Sequence, residues 1–140
     1  MENLIIKSPA KINLFLKVIK KLSNGYHELE TAFQLIDVFD TIEFQNTSNK
    51  INVSCSDVSI DEEENIVFKA ATLLKKVTDR NVGANIKIIK NIPTGAGLGG
   101  GSSNAASTIC ALNKMWGLGL SQNEMVLIGL DLGADVPLFI

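Results

Sequence analysis

Gly95, Gly97 and the run Gly99–Gly101 crowd into IPTGAGLGGGSSNAAS, residues 92–107, immediately ahead of Ser102 and Ser103. Glycine surrenders more backbone freedom on folding than any other residue, so such a cluster needs a purpose. The preceding ANIKIIK reads as a strand and the following SSNAASTICALNKMW as a helix. Strand, glycine loop and helix in that order set several backbone N–H groups at a helix N-terminus, where bare donors and partial positive charge attract phosphate. Ser102 and Ser103 stand where the helix should begin, so each can cap it or offer a hydroxyl to a phosphate or its metal ion. Ala105, Ala106 and Ser107 keep the first turn slim enough for close packing behind the loop.

Two familiar phosphate motifs fit less well. Gly95 and Gly100 have the glycine spacing of G-x-x-x-x-G-K-[ST], but Gly101 stands where the lysine is required. Gly95, Gly97 and Gly100 match the dinucleotide pattern G-x-G-x-x-G. The strand before them carries Lys87 and Lys90 instead of a continuous apolar run, and Glu124, the acid nearest the required spacing, belongs to a capping-box pattern with Ser121.

The elements that must position this loop follow from periodicity. Ile12, Leu14, Leu16 and Val18 alternate with Asn13, Phe15, Lys17 and Ile19, predicting a strand with one strongly apolar face. A turn at SNG, residues 23–25, then TAFQLIDVFDTIEF and INVSC, extend the front half as several antiparallel strands. From DEEENIVFKAATLLKKV onward, Ile66, Ala70, Leu73, Leu74 and Val77 share one helical stripe behind the acidic run Asp61–Glu64. A further helix opens at Ser121. The fold class is α+β, one mostly antiparallel sheet packed against helices in two layers.

At 140 residues the chain is about one domain long, and its 46% apolar and 20% charged residues exclude wholesale disorder. A net charge of −2 gives no general attraction to nucleic acid or to an anionic membrane, so any anion must be gripped locally. Cys55 and Cys110 lack zinc or redox spacing and read as buried thiols. With neither a spanning apolar stretch nor a secretory signal, the expected location is cytoplasmic. ADVPLFI, at the end, reads as an apolar, strand-like run.

PTGAGLGGGSSNAA resembles the phosphate-binding motif of the GHMP kinases, and SPAKINLFL from Ser8, GYHELET from Gly25 and GADVPLFI from Gly133 follow the family's order. The resemblance covers essentially the whole chain. It implies the ATP-binding N-terminal domain and transfer of the γ-phosphoryl group of ATP, with Mg2+, to the tertiary 2-hydroxyl of a cytidine diphosphate ester of methylerythritol. Lys11 matches the family's active-site lysine and Asp135 its catalytic aspartate. A lysine beside the aspartate and the acceptor oxygen would steady the developing charge, while the aspartate accepts the hydroxyl proton.

By the same resemblance His27 reads cytosine, Tyr26 and Phe33 offer stacking surfaces, and Asn13 helps hold substrate. Pro93, Gly95, Ala96, Gly97, Leu98, Gly99, Gly100, Gly101, Ser102 and Ser103 wrap the phosphates, with Ser103 the better candidate beside magnesium. Asn65 and Lys90 line the adenine pocket, although Asn65 is also placed to cap its helix. Family members are about twice this length and carry a C-terminal domain, so the chain is expected to be a fragment with weak activity of its own. Its edge from Val136 to Ile140 is expected to be uncovered and to offer a surface for self-association. Other branches of the family, acting on mevalonate or sugars, are alternatives. So are a non-catalytic nucleotide-binding or RNA-binding module and a dinucleotide-dependent oxidoreductase.

Overall fold

Two long strands, joined by one tight turn, dominate the front of the chain. The computed structural model describes residues 3–140. β1 (Asn3–Lys21) and β2 (His27–Thr47) pair antiparallel from Asn3↔Gln45 to Lys21↔His27, with bulges between Pro9 and Ala10, Asn13 and Phe15, and Val18 and Lys20. β3 (Ile51–Cys55), α1 (Ile66–Thr78), β4 (Gly83–Ile89), α2 (Gly100–Met115) and α3 (Gln122–Leu132) follow. The acidic run forms a separate 3-10 turn at Glu62–Glu64, and another such turn spans Val136–Phe139.

The sheet order is β1-β2-β4-β3. The sheet is mixed: β2 and β4 pair antiparallel, but β3 and β4 run parallel. The sheet is mostly antiparallel, as expected, and β3 is the exception among the strands of the front half. α1 carries the chain back to the end from which β3 began, and a helical crossover of that kind is what a parallel neighbour requires. β4 keeps Asn85 and Lys87 exposed while Ala84, Ile86 and Ile88 are buried, so its sheet face away from the helices is open.

The helices cover only part of the sheet. Ile42, Phe44, Ile86 and Ile88 pack with Val67, Ala71 and Leu74 of α1 and with Leu112 and Trp116. A second cluster joins Ala70 of α1, Ala105, Ala106 and Ile109 of α2, and Val136. These small side chains let the helices approach closely. At the far end of α2, Asn113 accepts the Leu120 N–H and donates to the Leu120 carbonyl, fixing the turn into α3. Ser121 and Glu124 close the expected capping box.

The apolar face expected on β1 is present but uncovered beyond Lys11: Leu14, Phe15, Leu16 and Val18 are all exposed, because β1 and β2 extend past the helices as a two-stranded arm. The ADVPLFI run is not a strand but ends in a 3-10 turn, with Val136 fully buried and residues 137–140 half-buried, not fully uncovered. Phe139 and Ile140 pack against the cluster that Val136 forms with Ala70, Ala105, Ala106 and Ile109. The large exposed apolar area therefore lies on the arm, not at Val136–Ile140.

This division predicts unequal costs of truncation. Phe44→Ala should lower the unfolding free energy by about 3–5 kcal/mol. Leu16→Ala should change it by no more than about 0.5 kcal/mol. Urea denaturation checks both, and comparable losses would mean that the arm is packed like the core.

Candidate phosphate and transfer site

The glycine loop is built on left-handed backbone. Gly95, Gly97 and Gly99 have φ of 75°, 75° and 69°. Gly99 is the N-cap of α2, so the helix begins at Gly100, ahead of Ser102. Neither serine is the cap. A side chain at Gly99 is doubly disfavoured: its φ suits glycine, and a Cβ there would lie 3.0 Å from the Phe139 ring and 3.2 Å from the Lys11 stem.

The helix's first internal bond runs from the Ser103 N–H to the Gly99 carbonyl, 2.8 Å. Among the described residues, the N–H groups of Gly95 to Ser102 have no acceptor. Such an array of free donors at a helix N-terminus is fit to receive a phosphate chain.

Beside it lies a pocket of about 410 Å³, lined by Pro93 to Ser102 together with Cys55, Ile60, Glu64, Asn65, Ile66, Lys90 and Asn104. Its apolar wall suits a flat ring. Asn65 both borders the pocket and caps α1, accepting the Val67 N–H at 3.0 Å. Cys55 and Cys110 are free and half-buried, not buried as expected. Burial pushes the Cys110 thiol up.

Lys90 also borders the pocket, but its ammonium turns inward, donating to Asp40 at 2.5 Å and to the Asn104 side-chain oxygen at 3.0 Å. Ser103 is fully buried and shares a hydrogen bond of 2.8 Å with Ser8. In this arrangement Ser102, and not Ser103, is the hydroxyl-bearing residue on the pocket wall.

The charged pair stands at the other side of Gly99. Lys11 Nζ lies 3.9 Å from Asp135 Oδ2 and donates to Asn13 Oδ1 at 3.1 Å, while the Lys11 N–H donates to the Leu98 carbonyl at 2.9 Å. The Lys11 side chain is 6% exposed and that of Asp135 52%, so a fixed ammonium faces a carboxylate that solvent or ligand can reach. Asp135 sits just ahead of the last 3-10 turn.

Lys11, Asn13, Asp135 and the loop are thus brought together. Phe33 pairs with Asn13 across the two strands. Tyr26 and His27 are not gathered with them; they lie exposed at the tip of the arm, where His27 is in register with Lys21. A larger hollow of about 510 Å³ on the open sheet face, bordered by Ile5, Glu43, Asn52 and Lys87, contains none of these residues.

The N-terminal domain of the GHMP kinases, as a sequence family, matches residues 65–140. The chain belongs to that family. It is 49% identical over 137 residues to the 4-diphosphocytidyl-2-C-methyl-D-erythritol kinase of Acinetobacter baylyi, covering 96% of this chain and 49% of that protein. It is 48% identical to the protein of the same name from Prochlorococcus marinus, covering 99% and 45%. A crystal structure of 4-(cytidine 5'-diphospho)-2C-methyl-D-erythritol kinase superposes with a TM-score of 0.83 at 34% identity, over 97% of this chain and 48% of that one. The chain spans about half the length of the curated relatives it matches.

Asp40 was missed by the sequence reading. Its signal was present: Asp40, Ile42 and Phe44 alternate along β2, so a carboxylate occupies the buried face of a strand. Burial pushes the Asp40 carboxyl up, but the Ile92 N–H, the Lys90 ammonium, the Asn91 N–H and the Asn104 amide together hold it below its ordinary 3.8. A carboxyl that titrates lower when folded contributes stability in full above its unfolded value, near pH 4, and loses it as pH falls through the folded value. In urea denaturation, the unfolding free energy should therefore drop more steeply below roughly pH 4 for the native chain than for Asp40→Asn. Parallel profiles would contradict this assignment.

Proposed function

We propose that this chain is the nucleotide-binding domain of a kinase that transfers the γ-phosphoryl group of ATP to the tertiary 2-hydroxyl of 4-diphosphocytidyl-2-C-methyl-D-erythritol. One observation carries the reading: a row of free main-chain donors and a lysine–aspartate pair meet on either side of Gly99. Phosphoryl transfer asks the protein mainly for alignment and charge stabilisation, and this arrangement supplies both.

The N–H groups of Gly95 to Ser102 hold the phosphates, and the pocket walled by Ile60, Ile66, Asn65 and Pro93 takes the adenine. Lys90 contributes its stem to that wall. Asp135 accepts the hydroxyl proton as the new O–P bond forms and the bond to the departing ADP breaks. Lys11 stays charged beside them and steadies the acceptor oxygen. A magnesium ion bound with the nucleotide would supply charge neutralisation to the phosphates. The pocket-facing residue Ser102 and the half-exposed Asp135 fit such an ion, which usually retains several waters and takes few protein ligands.

His27, Tyr26 and Phe33 read the cytidine end of the acceptor, and Asn13 its middle. The register sets Phe33 against Asn13, near the transfer pair, and His27 opposite Lys21 at the tip, so the three meet one base only with the arm folded back toward Lys11. No helix among the described residues is long and apolar enough to cross a membrane, and a water-soluble diphosphate acceptor suits a cytoplasmic reaction. If copies of the chain associate, the exposed apolar arm is the surface they use.

Calorimetry should show saturable MgATP binding to this chain, weakened about tenfold or more by Gly99→Ala, since the left-handed backbone and crowded Cβ cost about 1–3 kcal/mol. His27→Ala should leave MgATP affinity intact while weakening the cytidine diphosphate ester; equal losses for both would sink the base-reading role. In single-turnover transfer of the labelled γ-phosphoryl group, Asp135→Asn should slow the step by about 10²–10⁴-fold. An unchanged rate would remove Asp135 from the chemistry.

A further inference from the structure

We infer that Asp40 is a positioning residue for the phosphate loop, one buried carboxylate on which the chain entering the loop and the helix leaving it are both fastened. The inference rests on the nucleotide-binding reading for its functional consequence, but its structural content stands on its own. Asp40 is fully buried on β2, opposite Ser8 in register. Its Oδ1 accepts the N–H of Asn91 at 2.6 Å and of Ile92 at 2.9 Å. Its Oδ2 accepts the Lys90 ammonium at 2.5 Å and the Asn104 amide at 2.9 Å.

Lys90, Asn91 and Ile92 are the last residues before the loop begins at Pro93, and Asn104 stands on the first turns of α2, just after it ends. Lys90 also donates to Asn104 at 3.0 Å, closing a ring of three side chains across the two roots. The exit root is held a second time. Ser8 accepts from Asn104 at 3.2 Å and from Ser107 at 3.1 Å, and bonds Ser103 at 2.8 Å. The span between the roots can then neither swing outward nor fold its free N–H groups back onto the sheet.

The charge is needed as well as the shape. Two carboxylate oxygens offer about four acceptor positions and meet four donors here. An asparagine would accept the two main-chain N–H groups but turn an NH₂ toward the Lys90 ammonium and the Asn104 amide, donor against donor. The Lys90 nitrogen lies 3.4 Å from where a Cβ on Gly100 would stand, directly behind the start of α2. Paired with Asp40, that ammonium stays behind the loop; released, it would move into the space the loop encloses.

The test compares the native chain with Asp40→Asn and with the double variant Asp40→Asn/Lys90→Met, each well below its own melting temperature. Calorimetric titrations use MgATP, MgADP and adenosine. Asp40→Asn should lose about tenfold or more in affinity for both phosphorylated ligands while adenosine changes less than about twofold. The double variant, with no stranded ammonium, should recover part of that loss. Equal weakening for adenosine and MgATP, or no weakening at all, would reduce Asp40 to an ordinary core ion pair and overturn the inference.

Amide ¹⁵N relaxation of the ligand-free chain gives a readout that does not involve nucleotide. The N–H groups of residues 94–102 should become more mobile in Asp40→Asn, while those of β3 and β4 should not; unchanged loop order would also overturn the inference. Should the native chain bind no MgATP, the nucleotide reading fails, and loop order alone decides the role of Asp40. If Asp40→Asn does not fold, Asn104→Ala, which cuts the exit root's tie to Asp40 but leaves Ser8 bonded to Ser103 and Ser107, should loosen residues 94–102 by a smaller but measurable amount; unchanged order there would overturn the inference.

Discussion

Folding pairs almost every buried main-chain N–H. Those of the exposed Gly95, Ala96 and Gly97 stay open to water or ligand, and what the loop needs is a backbone that keeps them facing one way. Here the left-handed backbone at Gly95, Gly97 and Gly99 bends the chain away from both helical and sheet partners. Three further contacts keep it there. Lys11 holds the Leu98 carbonyl through its own N–H, its stem fills the space beneath Gly99, and Asp40 gathers the loop's two roots. The lysine of the transfer pair is thus also part of the loop's support, so the position of the phosphates and that of Lys11 are set together.

The rest of the fold divides between a packed block and a projecting arm. Helices α1 and α2 cover β4 and the inner ends of β1 and β2, and this block carries the loop, Lys11 and Asp135. Beyond Lys11 the paired strands run out with apolar side chains in solvent. The residues assigned to the base-bearing end of the acceptor lie on that arm, and those assigned to the nucleotide lie on the block. The chemistry is proposed where the two meet, at Lys11 and Asn13.

Much of this was legible in the sequence, for unequal reasons. The loop and its flanking strand and helix could be read from composition and periodicity, because dense glycine before an alanine-rich helix has few structural uses. The proximity of Lys11 and Asp135 could not: they lie at opposite ends of the chain, and only the resemblance of SPAKINL and GADVP to a known family paired them. Alternation along β1 marked a strand with an apolar face but not its exposure, since periodicity reports which side chains share a face and not whether anything covers it. Ser103 looked like a hydroxyl for a metal ion because the helix was expected to begin at Ser102. Starting at Gly100 rotates Ser103 inward to Ser8. The parallel pairing of β3 with β4 has no local signal, being decided by where α1 returns the chain.

The central claim is that the exposed amides from Gly95 to Ser102 are the phosphate-binding surface. A ¹⁵N-labelled sample of this chain titrated with MgATP, and separately with inorganic tripolyphosphate, tests it most directly. The account predicts that both probes produce their largest saturable amide shifts in that segment. Shifts centred on the open sheet face around Glu43, Asn85 and Lys87, with the loop amides unmoved, would contradict it.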